Sequence, residues 1–300
     1  MIISASRRTD IPARYADWFF RRLREGFALV RNPMNPRQVS RVSLLPQDVD
    51  GFVFWTKDSR PMLERLDALK DYAFYFQFTL TPYGRDIEPG LPDKMGELVP
   101  AFQRLADKLG PQRVIWRYDP ILLTPDLDRD FHCRAFERLA RQLAAYTCRC
   151  TISFLDYYRC MAKAAGEMSV DWPSPAGQEG IARQLAEIAQ GYGLAMDACA
   201  EALDLAPFGI GQAHCIDAGL LERQLGRPLP VSRDRNQRPR CGCAQSVDIG
   251  AYSTCPNGCR YCYANHGPRQ LAANTAAHDS FSPMLIGRPG PEDKITQRRP

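Results

Sequence analysis

FVFWTK at 52–57, FYFQFTL at 74–80 and VIWRYDPI at 114–121 are the stretches on which the fold of this chain turns. Each is a short run rich in β-branched and aromatic side chains that stops on polar or charged residues, as a buried strand does where it meets a loop. Working outward, similar runs stand at 2–4, 151–155 and 194–197, giving six in the first 230 residues. Amphipathic segments fill most of the gaps, so the rhythm is β-α repeated and the expected sheet is largely parallel.

The helices carry their own start and stop signals. Pro12 opens one whose apolar face is Tyr15, Trp18, Phe19 and Leu23, and Gly26 closes it. Asp58, Ser59 and Pro61 start a second, with Leu63, Leu66 and Leu69 inward. A third presents Phe102, Leu105, Ala106 and Leu109 before Gly110-Pro111, a fourth spans 131–145, and a fifth carries Ile181, Leu185 and Ile188 before Gly191. The excursion at 27–44, broken by Asn32-Pro33 and Asn35-Pro36, reads as a hairpin. Six β-α units suit either an open doubly wound sheet or an incomplete barrel, and in both a ligand gathers at the C-terminal ends of the strands. Those ends carry Ser6, Arg7, Arg8 and Asp10, then Thr56 and Lys57, Thr79 and Thr81, Arg117 and Asp119, Asp156, and Cys199 and Glu201.

The 300 residues carry 39 basic and 34 acidic side chains, with 45% hydrophobic and 24% charged. That is an ordinary globular composition, too weakly basic to point to nucleic acid. No apolar run reaches membrane-helix length, and Arg7, Arg8 and Asp10 interrupt the N-terminus before a signal-peptide core forms. The expectation is a cytoplasmic protein with no membrane partner.

Cysteine is the informative residue. Eleven cysteines with no export signal point to metal ligation or catalysis rather than a disulfide framework. Five of them, Cys241, Cys243, Cys255, Cys259 and Cys262, crowd into 22 residues behind the Arg-rich linker SRDRNQRPR at 232–240. Cys255, Cys259 and Cys262 form a C-x3-C-x2-C loop, with Gly258 available for a positive φ in its turn. Three thiolates on one loop can hold three irons of a cubane and leave the fourth iron for another ligand. Structural zinc more often takes two C-x2-C pairs, and one is present here.

This spacing, with aromatic Tyr261 before the last cysteine, resembles the radical S-adenosylmethionine (SAM) superfamily, and CPNGCRYCYAN resembles its spore photoproduct lyase branch. FWTK, FTLTPYG and WRYDPI resemble strand ends of the same branch, here in permuted order with the cysteine loop near the C-terminus. Taken together, SASRRTDIP, FWTK, WRYDP and the cysteine segment, over about residues 1–265, most resemble the DUF1848 family, which brings no reaction with it. The superfamily resemblance implies an α/β fold of partial (β/α)6 TIM-like barrel type at 1–230. It also implies an iron-sulfur cysteine segment at 231–266 folding over the barrel mouth, and 267–300 is expected as a flexible tail.

The same resemblance implies a [4Fe-4S] cluster on Cys255, Cys259 and Cys262, SAM on the open iron, and an external electron donor such as a flavodoxin or ferredoxin. Tyr261 is then expected beside the adenosyl group. Lys57, Arg117 and Asp119 are the expected catalytic groups over a small-molecule or nucleic-acid-derived substrate, with a salt bridge closing the barrel end as the alternative for Lys57 and Asp119, and Thr56, Arg7 and Arg8 are expected cofactor contacts. Asp10 caps the first helix or joins the Arg pair as a clamp.

Cys199, Cys215, Cys241 and Cys243 are either ligands of a second cluster or, in the case of Cys199 and Cys215, small buried apolar residues. Cys133, Cys148, Cys150 and Cys160 are assigned to packing or surface. Two other functions fit the same residues: a non-catalytic iron-sulfur electron carrier or sensor whose cluster ignores SAM, and a nucleic-acid-binding or repair protein with a structural metal and salt-sensitive binding.

Overall fold

The computed structural model describes residues 1–238 and 240–298. Its strands are β1 (Ile2–Ala5), β2 (Phe27–Asn32), β3 (Asn35–Ser43), β4 (Gly51–Thr56), β5 (Phe74–Thr79), β6 (Val114–Ile121), β7 (Arg149–Phe154), β8 (Ala195–Ala198), β9 (Ile210–Gln212), β10 (Val247–Asp248) and β11 (Lys294–Gln297). Its α-helices are α1 (Ile11–Arg14), α2 (Ala16–Glu25), α3 (Arg60–Leu63), α4 (Val99–Leu109), α5 (Arg129–Leu143), α6 (Ala162–Glu167), α7 (Pro175–Gly191), α8 (Ala218–Leu225) and α9 (Pro268–Ala276).

Eight strands make one sheet in the order β10-β1-β4-β5-β6-β7-β8-β9, parallel throughout. All six runs read from the sequence are strands in it. The sheet is open: β10 and β9 stand at its two edges. Both edge strands are too short, at two and three residues, to announce themselves in the sequence.

Strand residues alternate between faces, and the register lines them into rows. Ala5, Phe54, Phe76 and Val114 share a row, as do Thr56, Phe78, Trp116, Cys150 and Met196. These rows lie on the helix-covered face with Trp18, Phe19, Phe102, Phe136 and Leu185 in the main core. Phe54 stacks on Phe76 at 4.8 Å, and Phe19 meets Phe54 edge-on at 5.2 Å. On the other face, Ile2, Val53, Tyr75 and Ile115 pack under Leu220 and Leu221 of α8 in a second core. One step further along, that face turns polar in a single row, Thr79, Arg117, Thr151 and Asp197.

The excursion after Gly26 is an antiparallel hairpin of β2 and β3. The stretch expected as a flexible tail is built into the fold as far as it is described. It forms α9, then β11 pairs with β3 from Lys294 opposite Gln38 to Gln297 opposite Arg41. Met284 and Leu285 are buried, and the Trp18 indole donates to the Ser282 carbonyl at 3.0 Å. Aperiodic Ala, Gly and Pro text conceals this because the order comes from partners over 250 residues away. Pro239 in the linker and Arg299 and Pro300 at the end of the expected tail lie outside the described residues. Among the described residues no helix is long and apolar enough to cross a membrane.

Behind β6, His132 is buried between the Tyr118 hydroxyl at 2.8 Å from Nδ1 and the Leu122 carbonyl at 3.0 Å from Nε2. Leu122 offers only an acceptor, so Nε2 carries the proton and Nδ1 accepts from Tyr118. The neutral ring is fully satisfied, and burial holds its pKa below that of a free histidine. The unfolded chain therefore binds the extra proton first, and stability present above about pH 6.5 is lost as pH falls, with a slope of up to about 1.4 kcal/mol per pH unit. Urea unfolding at pH 7.5, 6 and 5 should show His132→Gln losing less stability than the parent over that interval; equal losses would remove His132 as the source.

Candidate functional site

The C-terminal strand ends and the cysteine segment enclose one cavity of about 560 Å³. The residues expected to touch metal, cofactor or substrate all line it: Arg7, Arg8, Thr56, Lys57, Arg117, Asp119, Tyr261, and all seven cysteines from Cys199 to Cys262; the strand-end residues Thr81 and Glu201 do not. Residues 200 positions apart therefore share one space, although their side chains do not all play the parts expected of them.

The cysteine loop is seated by polar contacts at both ends. Asp248 on β10 accepts from the Ser4 hydroxyl at 3.0 Å, the Ser6 hydroxyl at 2.7 Å and the Arg7 backbone at 2.8 Å, locking the segment to β1. Asn257 accepts from Arg14 Nε at 2.7 Å and donates to Asp10 at 3.3 Å, while its carbonyl accepts from the Gly90 N–H at 2.9 Å. Gly258 has φ +68°, the left-handed turn that brings the thiols together. Cys259 and Cys262 line the cavity beside Cys255, and the Ala264 N–H points at the Cys262 sulfur at 3.4 Å. Burial pushes the Cys255 thiol up to about 12 and raises Cys259 and Cys262 as well.

Glu88 is the buried charge of the site that sequence reading missed. It is 1% exposed and accepts from Lys57 at 2.8 Å, from the Thr81 hydroxyl at 3.0 Å, from Lys94 and from the Tyr261 hydroxyl. Burial would raise its carboxyl, but Lys57 and then Lys94 outweigh that and hold it at about 2. Burial likewise opposes the Lys57 charge, yet Glu88 and next the Cys259 sulfur raise its pKa overall. No local pattern in DIEPG marks this carboxylate: Thr81 and Lys94 are seven and six residues away, but Lys57 and Tyr261, which tie it to the site, lie 31 residues before it and 173 after it.

Tyr261 is only 8% exposed; its hydroxyl is spent on Glu88 and its ring packs against Tyr83 at 5.9 Å. Thr56 is also committed inward, to Asp10 Oδ1 at 2.7 Å and to the backbone of Asp58. Asp10 accepts from Ala13 N–H as the cap of α1 and from Lys57 N–H, and burial raises it to about 6. Arg8 is held loosely, over the Tyr252 ring at 5.2 Å and 4.0 Å from Asp248.

Arg117 is 4% exposed and donates to Asp119, to Gln77 Oε1 at 3.3 Å and to the Cys215 sulfur at 3.0 Å. Asp119 in turn accepts from Ser153 at 2.6 Å. Burial, opposed and outweighed by Arg117, leaves the Asp119 carboxyl below its ordinary value. The linker is not simply solvated: Asp234 is buried, and Asn236, Gln237 and Arg238 line the cavity.

All eleven cysteines are free thiols. Among the described residues no three His, Cys, Asp or Glu side chains converge as a ready cage for a single ion. The three thiols of the 255–262 loop, facing one cavity beside a buried ammonium, nevertheless have the donor chemistry that a polynuclear iron-sulfur group needs. His214 contacts the Gly242 carbonyl at 2.7 Å through Nδ1, and His266 stacks on Tyr252 at 5.3 Å.

Comparison with known families returns one described as domain of unknown function (DUF1848), matched over residues 2–264. No curated protein and no solved structure matches the chain.

Replacing Glu88 with Gln leaves Lys57 and Lys94 together in a buried site without the carboxylate that pairs with both. Such a loss costs about 3–5 kcal/mol. Urea denaturation of Glu88→Gln should show a fall of that order, and a change below 1 kcal/mol would show that solvent already screens the pair.

Proposed function

The chain belongs to the DUF1848 family, whose description carries no reaction, and from the site itself we propose that it is an iron-sulfur enzyme of the radical SAM type. In this reading the inner strands act as a partial barrel, Cys255, Cys259 and Cys262 hold a [4Fe-4S] cluster, and SAM takes its open iron. One observation carries it: the three loop thiols and the strand-end groups Lys57, Arg117 and Asp119 line a single cavity. A thiol loop alone serves any iron-sulfur protein, whereas a cavity with fixed charges beside it suits a substrate.

When bound, the cluster and SAM supply a hydrogen-abstracting carbon radical, with the electron coming from an external flavodoxin or ferredoxin. The chain's own residues bind, orient and exclude water. Lys57 offsets thiolate charge beside Cys259 and is fixed in place by Glu88. Arg117 and Asp119, with Ser153 holding the carboxylate, present paired charge that orients a polar small-molecule or nucleic-acid-derived substrate. Arg8, loosely held, has a planar fork suited to a carboxylate or phosphate. Trp55, Tyr158 and Tyr263 give the cavity apolar walls.

A second reading, an electron carrier with a fully ligated cluster, draws on Cys160. Its thiol donates to the Tyr263 carbonyl at 3.6 Å and bears electrostatically on Cys262, so a fourth thiolate stands near the loop. Anaerobic, dithionite-reduced protein should give a [4Fe-4S]+ electron paramagnetic resonance signal that shifts when SAM is added. Cys160→Ala should keep both the signal and the shift. A signal indifferent to SAM that disappears in Cys160→Ala would establish the carrier instead, and bound zinc without iron would remove both readings.

A further inference from the structure

Four thiols lie outside the C-x3-C-x2-C loop but on the same cavity: Cys199 after β8, Cys215 after β9, and Cys241 and Cys243 before β10. They run as a chain of neighbours. Cys199 and Cys215 sulfurs are 3.4 Å apart, Cys215 contacts Cys243, and Cys243 contacts Cys241. Cys215, Cys241 and Cys243 are each no more than 6% exposed. We propose that these four cysteines bind a second, fully thiolate-ligated iron-sulfur cluster, independent of whether SAM binds at the first.

The backbone around them is built to one shape. The Cys215 carbonyl accepts from Tyr75 at 2.8 Å and from Gln77 at 2.9 Å, so two residues of β5 fix its position. The Cys-Gly-Cys turn lies flat on 213–215: His214 Nδ1 is 2.7 Å from the Gly242 carbonyl, and Ala244 N–H donates to the Ile216 carbonyl at 3.0 Å. A Cβ at Gly242 would stand 2.8 Å from the His214 ring and 3.1 Å from the Ala213 carbonyl. Only glycine allows the two cysteine-bearing segments to approach this closely.

Charge separates this reading from simple packing. A buried thiol that merely fills space is a weak acceptor and calls for no donors. Here Arg117 points Nη1 at the Cys215 sulfur at 3.0 Å, Arg238 Nη2 reaches the Cys199 carbonyl at 3.1 Å and its sulfur at 3.8 Å, and the Ile216 N–H points at the Cys243 sulfur at 3.4 Å. Arg117 and Arg238 are each also paired with a carboxylate, Asp119 and Asp156, and their remaining N–H groups, with a backbone N–H, are directed at sulfur in the way that suits a metal-bound thiolate. Four soft sulfur donors on adjoining segments of one cavity have the chemistry that an iron-sulfur cluster needs.

The test is to count iron and acid-labile sulfide in full-length protein purified anaerobically and reconstituted with ferrous iron and sulfide. The triple variant Cys255→Ala, Cys259→Ala, Cys262→Ala should keep roughly half of the parent's iron and sulfide in equal amounts, as expected for one of two cubanes. The pair Cys199→Ser and Cys215→Ser should lose about the same amount and keep whatever signal the first cluster gives. Mössbauer spectra of the unaltered protein count cluster irons without relying on any variant folding. Iron in a single cluster that persists in the Cys199→Ser, Cys215→Ser pair and is lost in the triple variant, zinc without sulfide at the four thiols, or a Cys199–Cys215 disulfide in the anaerobic protein would each overturn the proposal, whereas a single cluster lost only in the Cys199→Ser, Cys215→Ser pair would uphold it and remove the first site.

Discussion

A single carboxylate holds the mouth of this molecule together. Glu88 sits out of water between two ammonium groups and a phenol, drawn from the end of β4, from the segment before α4 and from the cysteine loop. An unpaired ion there would be prohibitively costly, so the three segments are held in mutual register by charge as well as by packing. Tyr261 is the link that makes the cysteine loop part of this arrangement, because its hydroxyl ends on the same carboxylate.

The division of labour across the sheet follows from the two-residue period of a strand. One face gives Ala5, Phe54 and Phe76 to the helix-covered core; the other gives Tyr75 and Gln77 to the support of Cys215, and Arg117 to its sulfur. A one-residue slip in β5 or β6 would exchange these faces, burying Arg117 among phenylalanines and turning the aromatic ladder toward the cavity. The aromatic core and the polar cavity thus depend on the same register, and the core fixes it.

Much of this was legible in the chain. The six apolar runs gave the inner strands, the helix caps at Asp10 and Gly26 behaved as their chemistry dictates, and the cysteine spacing pointed to the segment that closes the cavity. What stayed hidden depended on distant partners. β9 and β10 are too short to show a period, β11 is a strand only because β3 is beside it, and Glu88 looks like any loop glutamate until Lys57 and Tyr261 are brought to it. Tyr261 was legible as a residue that matters at the cysteine loop; that its hydroxyl would turn inward was not.

The pairing of β1 with β10 sets an order of events in the life of the chain. Ser4 and Ser6 leave the ribosome more than 240 residues ahead of their partner Asp248. The inner strands from β1 to β8 can be complete and packed while that edge still waits, exposed, for its last strand. The cysteine segment is thus seated late, on a body whose inner strands can already be packed, and the cavity they share takes its shape only once Asp248 has reached Ser4 and Ser6.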